Sequence, residues 1–195
     1  GRGAAFLFWN EGFARHAKGD TVVGEDSMKI GVIADTHLYR RMAPLPATVL
    51  DVFSDTDHII HAGDIVGRDV ITRLEALAPV TAVAGNLDTD QIRERYGEKK
   101  IVHTGGFSIG VCHGHGKGGK TMDRALLCFS GDDVDCIVFG HSHTPYIGYH
   151  DGILVINPGS PTDKRRNPYF SVGMIEINGV MRPRIVSFDR EGAIV

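Results

Sequence analysis

From Met28 onward, short apolar runs alternate with stretches whose apolar positions recur at helical spacing. A short apolar run closed by glycine or alanine reads as a buried strand; an apolar stripe along a longer segment reads as a helix face. On that basis strands are predicted over 28–34, 58–61 and 80–84. Between them lie two predicted helices. One spans 46–53, is opened by Pro44 and Pro46 and aligns Val49, Leu50 and Phe53; the other spans 68–77, aligns Val70, Ile71, Leu74 and Leu77 and is stopped by Pro79. Strand, helix, strand, helix, strand in that order implies right-handed crossovers and a parallel sheet. Next come a short helix over 89–96, a hairpin of strands over 100–103 and 107–112 turned by Gly105-Gly106, and a glycine-rich loop over 114–119. A helix over 120–129, carrying Met122, Ala125, Leu126 and Phe129 inward, leads to a strand over 135–139. Beyond His143 the pattern is strands alone, over 146–150, 153–156, 169–177 and 182–187, with turns at Asp151-Gly152 and Asn178-Gly179, so this last quarter is expected to be antiparallel. The fold class is therefore α/β (α+β), two mixed sheets packed face to face with helices on their outer sides.

Residues 1–27 lack this regularity and are read as an amino-terminal extension, flexible or upstream-derived, with residues 28–195 forming one domain. The chain of 195 residues is long enough for one full core and short for two. A net charge of −3 supplies no general polyanion-binding face, which disfavours an extended nucleic acid as partner. No apolar stretch approaches the roughly 18 to 20 residues that cross a bilayer, so a cytoplasmic protein without membrane attachment is expected. The three cysteines, Cys112, Cys128 and Cys136, lie in or beside apolar runs and are expected to be reduced and core-packed. Cys112 beside His113 is disfavoured as a nucleophile and base, because adjacent strand residues face opposite ways.

Five of the apolar runs share an ending: a small residue, then a potential metal ligand. They are Ala34-Asp35-Thr36-His37, Gly63-Asp64, Gly85-Asn86-Leu87-Asp88, Cys112-His113 and Gly140-His141-Ser142-His143. Each alone is weak evidence, since a D-x-H pair can be two satisfied polar side chains and Gly63-Asp64 a helix cap. Together they place Asp35, His37, Asp64, Asn86, His113, His141 and His143 at strand ends of one sheet, where ligands of open α/β sheets converge. Carboxylate, amide and imidazole donors without thiolate suit two divalent ions, Mn²⁺ first, with Fe, Zn²⁺ or Ni²⁺ as alternatives. Asp64 is expected to be shared between ions about 3.5 to 4 Å apart.

The five motifs in this order resemble the calcineurin-like metallophosphoesterase superfamily, and Asn157-Pro158-Gly159-Ser160 resembles its small, single-domain YfcE-like phosphodiesterase branch. That resemblance covers Met28 to about Ser187. It implies a four-layer αββα sandwich and a binuclear centre with Asp35, His37, Asp64 and His143 on one ion and Asp64, Asn86, His113 and His141 on the other. The implied activity is hydrolysis of phosphodiesters, and of monoesters too, by metal-activated hydroxide attack on phosphorus. Asp64 and Asp88 take catalytic roles in this reading, Asp88 by orienting an imidazole or a loop. Many relatives have histidine where this chain has Leu87, so leaving-group protonation falls to His115, or the substrates are diesters with less basic leaving groups. Asn86, Arg165 and Arg166 are the candidate contacts to the small phosphate-ester substrate. A homo-oligomer is compatible with the sequence. The rival reading is a non-catalytic interaction scaffold on the same fold; a nuclease lacks the basic surface that long polymers require.

Overall fold

The computed structural model describes residues 15–16, 27–38 and 44–195. Among these, eleven strands form two sheets. The first has the order β1-β11-β10-β2-β3-β4, built from β1 (Arg15–His16), β2 (Met28–Ile33), β3 (His58–Ala62), β4 (Val80–Val83), β10 (Phe170–Ile177) and β11 (Val180–Phe188). The second has the order β5-β6-β7-β9-β8, built from β5 (Lys99–Thr104), β6 (Phe107–Cys112), β7 (Cys136–Val138), β8 (Tyr146–His150) and β9 (Ile153–Asn157). The helices are α1 (Ala47–Val52), α2 (Arg68–Glu75), α3 (Asp90–Tyr96) and α4 (Thr121–Cys128). None of them is long and apolar enough to cross a membrane.

The crossovers behave as the sequence pattern requires: β2, β3 and β4 are parallel, and α1 and α2 lie in the connections between them. Alternation along the strands sorts side chains into layers. Ile30, Val32 and Ile60 face inward and meet Ile109, Val111, Val138, Leu154 and Ile156 of the second sheet in one buried cluster. Ile33 and Ile59, one residue out of phase, face the other way and pack with Val49 and Phe53, with Val70, Ile71 and Leu74 of α2, and with Ile92 of α3. On the far side Ala125 and Phe129 pack on Ile137 and Val155. Helices, sheet, sheet, helix is the four-layer arrangement.

One expectation changes. The chain beyond His143 is antiparallel within the β8–β9 and β10–β11 hairpins, but β9 joins β7 in parallel and β10 crosses to the first sheet to pair with β2. Four of the five residues of β9 are buried, which demands a neighbour on each side rather than the single partner a terminal hairpin provides. Within the predicted extension, Arg15 and His16 pair antiparallel with Met181 and Val180 at the edge of the first sheet; the rest of residues 1–26 lie outside the described residues.

Each outer helix layer seats an aromatic ring on a strand glycine. A Cβ on Gly31 would stand 2.9 Å from the Phe53 ring, and one on Gly110 would stand 2.8 Å from the Phe129 ring. Both rings are buried, and they follow directly after α1 and α4. Gly110→Ala is therefore expected to destabilise the fold by about 1–3 kcal/mol, the usual cost of overpacking. The measurement is the shift in urea midpoint; recovery on combining it with Phe129→Leu locates the clash at that ring, and an unmoved midpoint in Gly110→Ala refutes it.

Candidate metal centre

The loops after β2 and β3 are zipped together by backbone hydrogen bonds. The Asp35 amide donates to the Gly63 carbonyl (3.0 Å) and the His37 amide to the Asp64 carbonyl (3.2 Å). Thr36, between the two ligands, donates its hydroxyl to the Ile65 carbonyl (3.1 Å), and its Oγ1 lies 3.2 Å from His61 Nε2. His61 is thus a buried brace beneath the ligands, while His58 pairs with Thr81 Oγ1 at 2.9 Å.

Asp35 is fully buried, and neither of its carboxylate oxygens has a hydrogen-bond donor among the described residues. Its Oδ1 lies 3.5 Å from His143 Nε2, 3.7 Å from His37 Nε2 and 3.8 Å from His113 Nε2. The second carboxylate, Asp64, presents Oδ2 at 3.3 Å from His113 Nε2 and 3.8 Å from His37 Nε2. Its Oδ1 is held by the Leu87 amide at 2.8 Å. Asp35 is as central as Asp64: two groups of three potential ligands, Asp35-His37-His143 and Asp35-Asp64-His113, meet at it. The sequence had given the bridging position to Asp64 alone.

The imidazoles are set in the tautomer that ligation needs. His113 Nδ1 faces the Ala62 carbonyl at 2.7 Å and His143 Nδ1 the Asp163 carbonyl at 2.6 Å, so each Nδ1–H donates to backbone and each Nε2 turns a lone pair into the site. His37 Nε2 and His143 Nε2 lie 3.0 Å apart with stacked rings, the spacing of two nitrogens that share one ion at about 2.0–2.1 Å. A buried carboxylate without donors, Asp35, beside a second that accepts one amide, both opposed by imidazole nitrogens, fits divalent cations: a cation supplies the charge and the coordination that the protein leaves out.

Charge in the site follows from these distances. Burial pushes the Asp64 carboxyl up, but His113, the Leu87 amide and His37 outweigh it and hold its pKa at about 2. His113 is opposed by burial yet raised by Asp64 and Asp35. His141 and His115 are both lowered, by burial first and then by His113.

The remaining residues sort themselves by place. His141 is half-buried with its ring centroid 5.2 Å from that of His113, and His115 lies beside both, 5.5 Å from His113 and 6.4 Å from His141. Asn86 is exposed on the loop after β4, a loop tied to the site through the Leu87–Asp64 bond. Asp88, expected to serve catalysis by orienting an imidazole or a loop, accepts from two backbone amides, Val66 (2.7 Å) and Gly85 (2.7 Å), and joins the β3 and β4 loops. Of its two anticipated uses, the geometry is that of holding a loop. Arg165 Nη2 reaches 3.2 Å from His143 Nε2, whereas Arg166 is exposed and makes no hydrogen bond or ion pair to the candidate ligands. Cys112 is buried against the α4 layer and takes no part. The ligands also come from two sheets, not one: Asp35, His37, Asp64 and Asn86 follow β2, β3 and β4, while His113, His141 and His143 follow β6 and β7 of the second sheet.

Several supporting residues escaped sequence reading. Ser160 and Thr162 donate to the Asp35 carbonyl (2.8 and 3.3 Å), Asn157 donates to the Gly140 carbonyl (2.8 Å), and Asn167 to the His143 carbonyl (2.8 Å). Arg93 donates to the carbonyls of Gly85 (3.4 Å) and Asn86 (3.0 Å), and Arg124 to those of Gly114, Gly118 and Gly119 (2.9, 2.8 and 2.9 Å). The polar turn after β9 carried the only hint, and only through its likeness to relatives.

The profile described as "Calcineurin-like phosphoesterase superfamily domain" matches residues 28–179. The chain belongs to this superfamily. A protein named "probable metallophosphoesterase" from Methanocaldococcus jannaschii is 38% identical over 166 residues, covering 84% of this chain and 83% of its own. Among solved structures, Vps29 of Entamoeba histolytica complexed with Zn²⁺ aligns with a TM-score of 0.66 at 26% identity, over 82% of this chain and 99% of that one. Vps29 of Chaetomium thermophilum aligns with a TM-score of 0.74 at 20% identity, over 86% and 94%, a likeness of fold. The calcineurin-like architecture expected from the motifs is the architecture observed.

Two measurements test this calcineurin-like site. Asp88→Asn replaces one acceptor oxygen with an N–H₂ that opposes a backbone amide, and should weaken Mn²⁺ binding by about 10–100-fold, as loss of a ligand's support does; unchanged calorimetric affinity would refute the brace. His61 has its pKa lowered from 6.5 to about 4, chiefly by burial. Between those values the unfolded chain takes up the proton and the folded chain does not, so its stability falls as pH drops from 6.5 toward 4, by up to about 3 kcal/mol. In metal-free protein, His61→Gln should flatten that part of the stability–pH curve relative to wild type; superimposable slopes would contradict the assignment.

Proposed function

We propose that this protein is a binuclear metal-dependent phosphoesterase that hydrolyses phosphodiesters. The observation that carries the reading is the donor-free, fully buried Asp35 carboxylate, facing three imidazole nitrogens beside a second buried carboxylate. Asp35, His37, Asp64 and His143 would hold one ion, and Asp64, Asn86, His113 and His141 the other; the position of Asp35 lets it contribute to both groups. Bound divalent cations, Mn²⁺ being the favoured choice, supply Lewis acidity toward phosphoryl oxygens and a nucleophilic water at neutral pH.

The chain's own residues do the rest. Arg165 stands against His143 and offers a planar pair of donors to the ester's anionic oxygens, a fit that lysine would not match. Leu87, 45% exposed at the place where many relatives carry histidine, has no proton to give a leaving oxygen. His115 lies on the His113–His141 side and is the candidate by sequence to donate one; without a strong acid at Leu87, the site favours diesters whose leaving groups are weakly basic.

The test is a chelated, Mn²⁺-reconstituted protein assayed with aryl phosphate diesters and monoesters of graded leaving-group pKa, beside Asp64→Asn. Hydrolysis should require metal, fall by more than about 100-fold in Asp64→Asn, since loss of a ligand exceeds loss of its support, and slow steeply as the leaving group becomes more basic. A flat dependence with unactivated monoesters counts against the Leu87 argument. Tight metal binding with no turnover of any ester would favour the scaffold reading.

A further inference from the structure

The last residues of β6 and α4 are both cysteines, Cys112 and Cys128, and their thiols are hydrogen-bonded to each other. Neighbouring contacts fix that approach. The ring of Phe129, the residue after Cys128, fills the space over Gly110, which shares a strand face with Cys112. Lys99 is the cross-strand partner of Cys112, and its Nζ donates to the Cys128 carbonyl at 2.8 Å. The same ammonium lies 4.8 Å from the Phe129 ring centroid and 2.6 Å from the Asp132 carboxylate. The two sulfurs therefore meet within a packed contact between strand and helix. They differ in access: Cys112 is 3% exposed, whereas Cys128 is half-buried and open to a small solute. Cys128 is also the more acidic, since the hydrogen bond from Cys112, and then the Lys99 ammonium, outweigh burial and draw its pKa down, while that bond and burial push Cys112 up. The third cysteine, Cys136, is buried between the sheets in another cluster.

An accessible thiol in contact with a buried one is the arrangement of a peroxide-reactive cysteine and its resolving partner. We propose that Cys128 and Cys112 form an oxidation site that closes to a disulfide with peroxide and, in closing, loosens the metal centre through His113. The Cys128 thiolate attacks one peroxide oxygen; the S–O bond forms, the O–O bond breaks, and the departing hydroxide takes up the proton that the thiol released, as water. The Cys112 sulfur then attacks the Cys128 sulfur of the sulfenic acid. The S–S bond forms, the S–O bond breaks, and the hydroxyl departs as water with the Cys112 proton, so two thiols are oxidised and one peroxide is reduced to two waters. A disulfide holds its sulfurs at about 2.05 Å, closer than any hydrogen-bonded pair, so the ends of β6 and α4 must draw together. His113 follows Cys112 and faces the opposite way, with Nδ1 on the Ala62 carbonyl at 2.7 Å and Nε2 3.3 Å from Asp64. Drawing Cys112 toward α4 pulls that imidazole off both. The coupling rests on His113 as a ligand; the disulfide does not.

The experiment treats the full chain, free of metal, with hydrogen peroxide, removes the peroxide, and then takes two readouts: peptide masses without reductant, and Mn²⁺ affinity by calorimetry. Wild type should yield a Cys112 peptide linked to a Cys128 peptide, and its Mn²⁺ affinity should fall by about 10-fold or more, as on loss of a ligand's support, and recover with dithiothreitol. Cys128→Ser should match reduced wild type in affinity and show neither change. In Cys112→Ala the sulfenic acid has no resolving thiol, so dimedone should label Cys128 there and not in wild type. Peroxide treatment that leaves no linked peptide, or that weakens Mn²⁺ binding equally in Cys128→Ser, overturns the proposal. A linked peptide with unchanged affinity overturns the coupling to His113. Reduced protein that binds no Mn²⁺ fails the metal-site reading and the coupling with it, and the linked peptide still decides the oxidation site.

Discussion

Two carboxylates, Asp35 and Asp64, are removed from water at the edge of the core and set against imidazole nitrogens within 3.3–3.8 Å. A buried anion without donors is costly, and a protein built for stability alone would neutralise, pair or hydrogen-bond both. Here Asp64 receives one amide and Asp35 receives none. The cost falls only when something positive enters, so the local fold is complementary to an ion rather than to itself. Cation binding should therefore count as folding energy for these loops.

The backbone around the carboxylates carries a second cost. Asp35, His37, Asp64, His141 and His143 all adopt positive φ, between 43° and 67°, a region that residues with a Cβ seldom occupy, and Val66 does so at 62°. The hydrogen bonds that surround them explain how the strain is kept. Ser160 and Thr162 hold the carbonyl of Asp35, Asn157 holds the carbonyl before His141, Asn167 holds that of His143, and Asp88 holds the amide of Val66. Each brace acts on main chain, at a strained residue or one residue from it. The turn after β9, remote in sequence, thus fixes both the Asp35 and the His143 loops.

Much of the fold was legible because the strands alternate and the helices keep one apolar face: Ile30, Val32 and Ile60 against Ile33 and Ile59 is a pattern that admits one layering. The candidate ligands were legible because the same ending recurs in five places, and the structure brings the reactive atoms of Asp35, His37, Asp64, His113 and His143 together. What escaped has a common physical cause. Arg93, Arg124, Ser160 and Thr162 act on backbone carbonyls, and any polar donor can do that, so their identities announce nothing until chain segments far apart in sequence are brought together. The parallel pairing of β9 with β7 was hidden for the same reason, since a hairpin explains β8 and β9 locally and only the burial of β9 calls for another neighbour.

The small residues before Asp35, Asp64, Asn86 and His141 belong to this account. Two sheets packed through Ile and Val stand about 10 Å apart, too far for side chains from both to share an ion without help. At the carboxyl ends of the strands the packing residues shrink. A Cβ on Gly140 would stand 2.9 Å from the Ala34 Cβ and 3.0 Å from the Ala62 carbonyl, and one on Gly85 would overlap the Asp64 carboxylate. His113 of the second sheet reaches the Ala62 carbonyl of the first at 2.7 Å, and a Cβ on Gly63 would stand 2.7 Å from the same imidazole nitrogen. The sheets therefore close on each other where the candidate ligands begin: at Ala34, Gly63 and Gly140 the small residue sets the separation that the Asp or His after it uses, whereas Cys112, before His113, faces the α4 layer. A larger residue at Gly63, Gly85 or Gly140 would act on the ligand distances before it acted on the core.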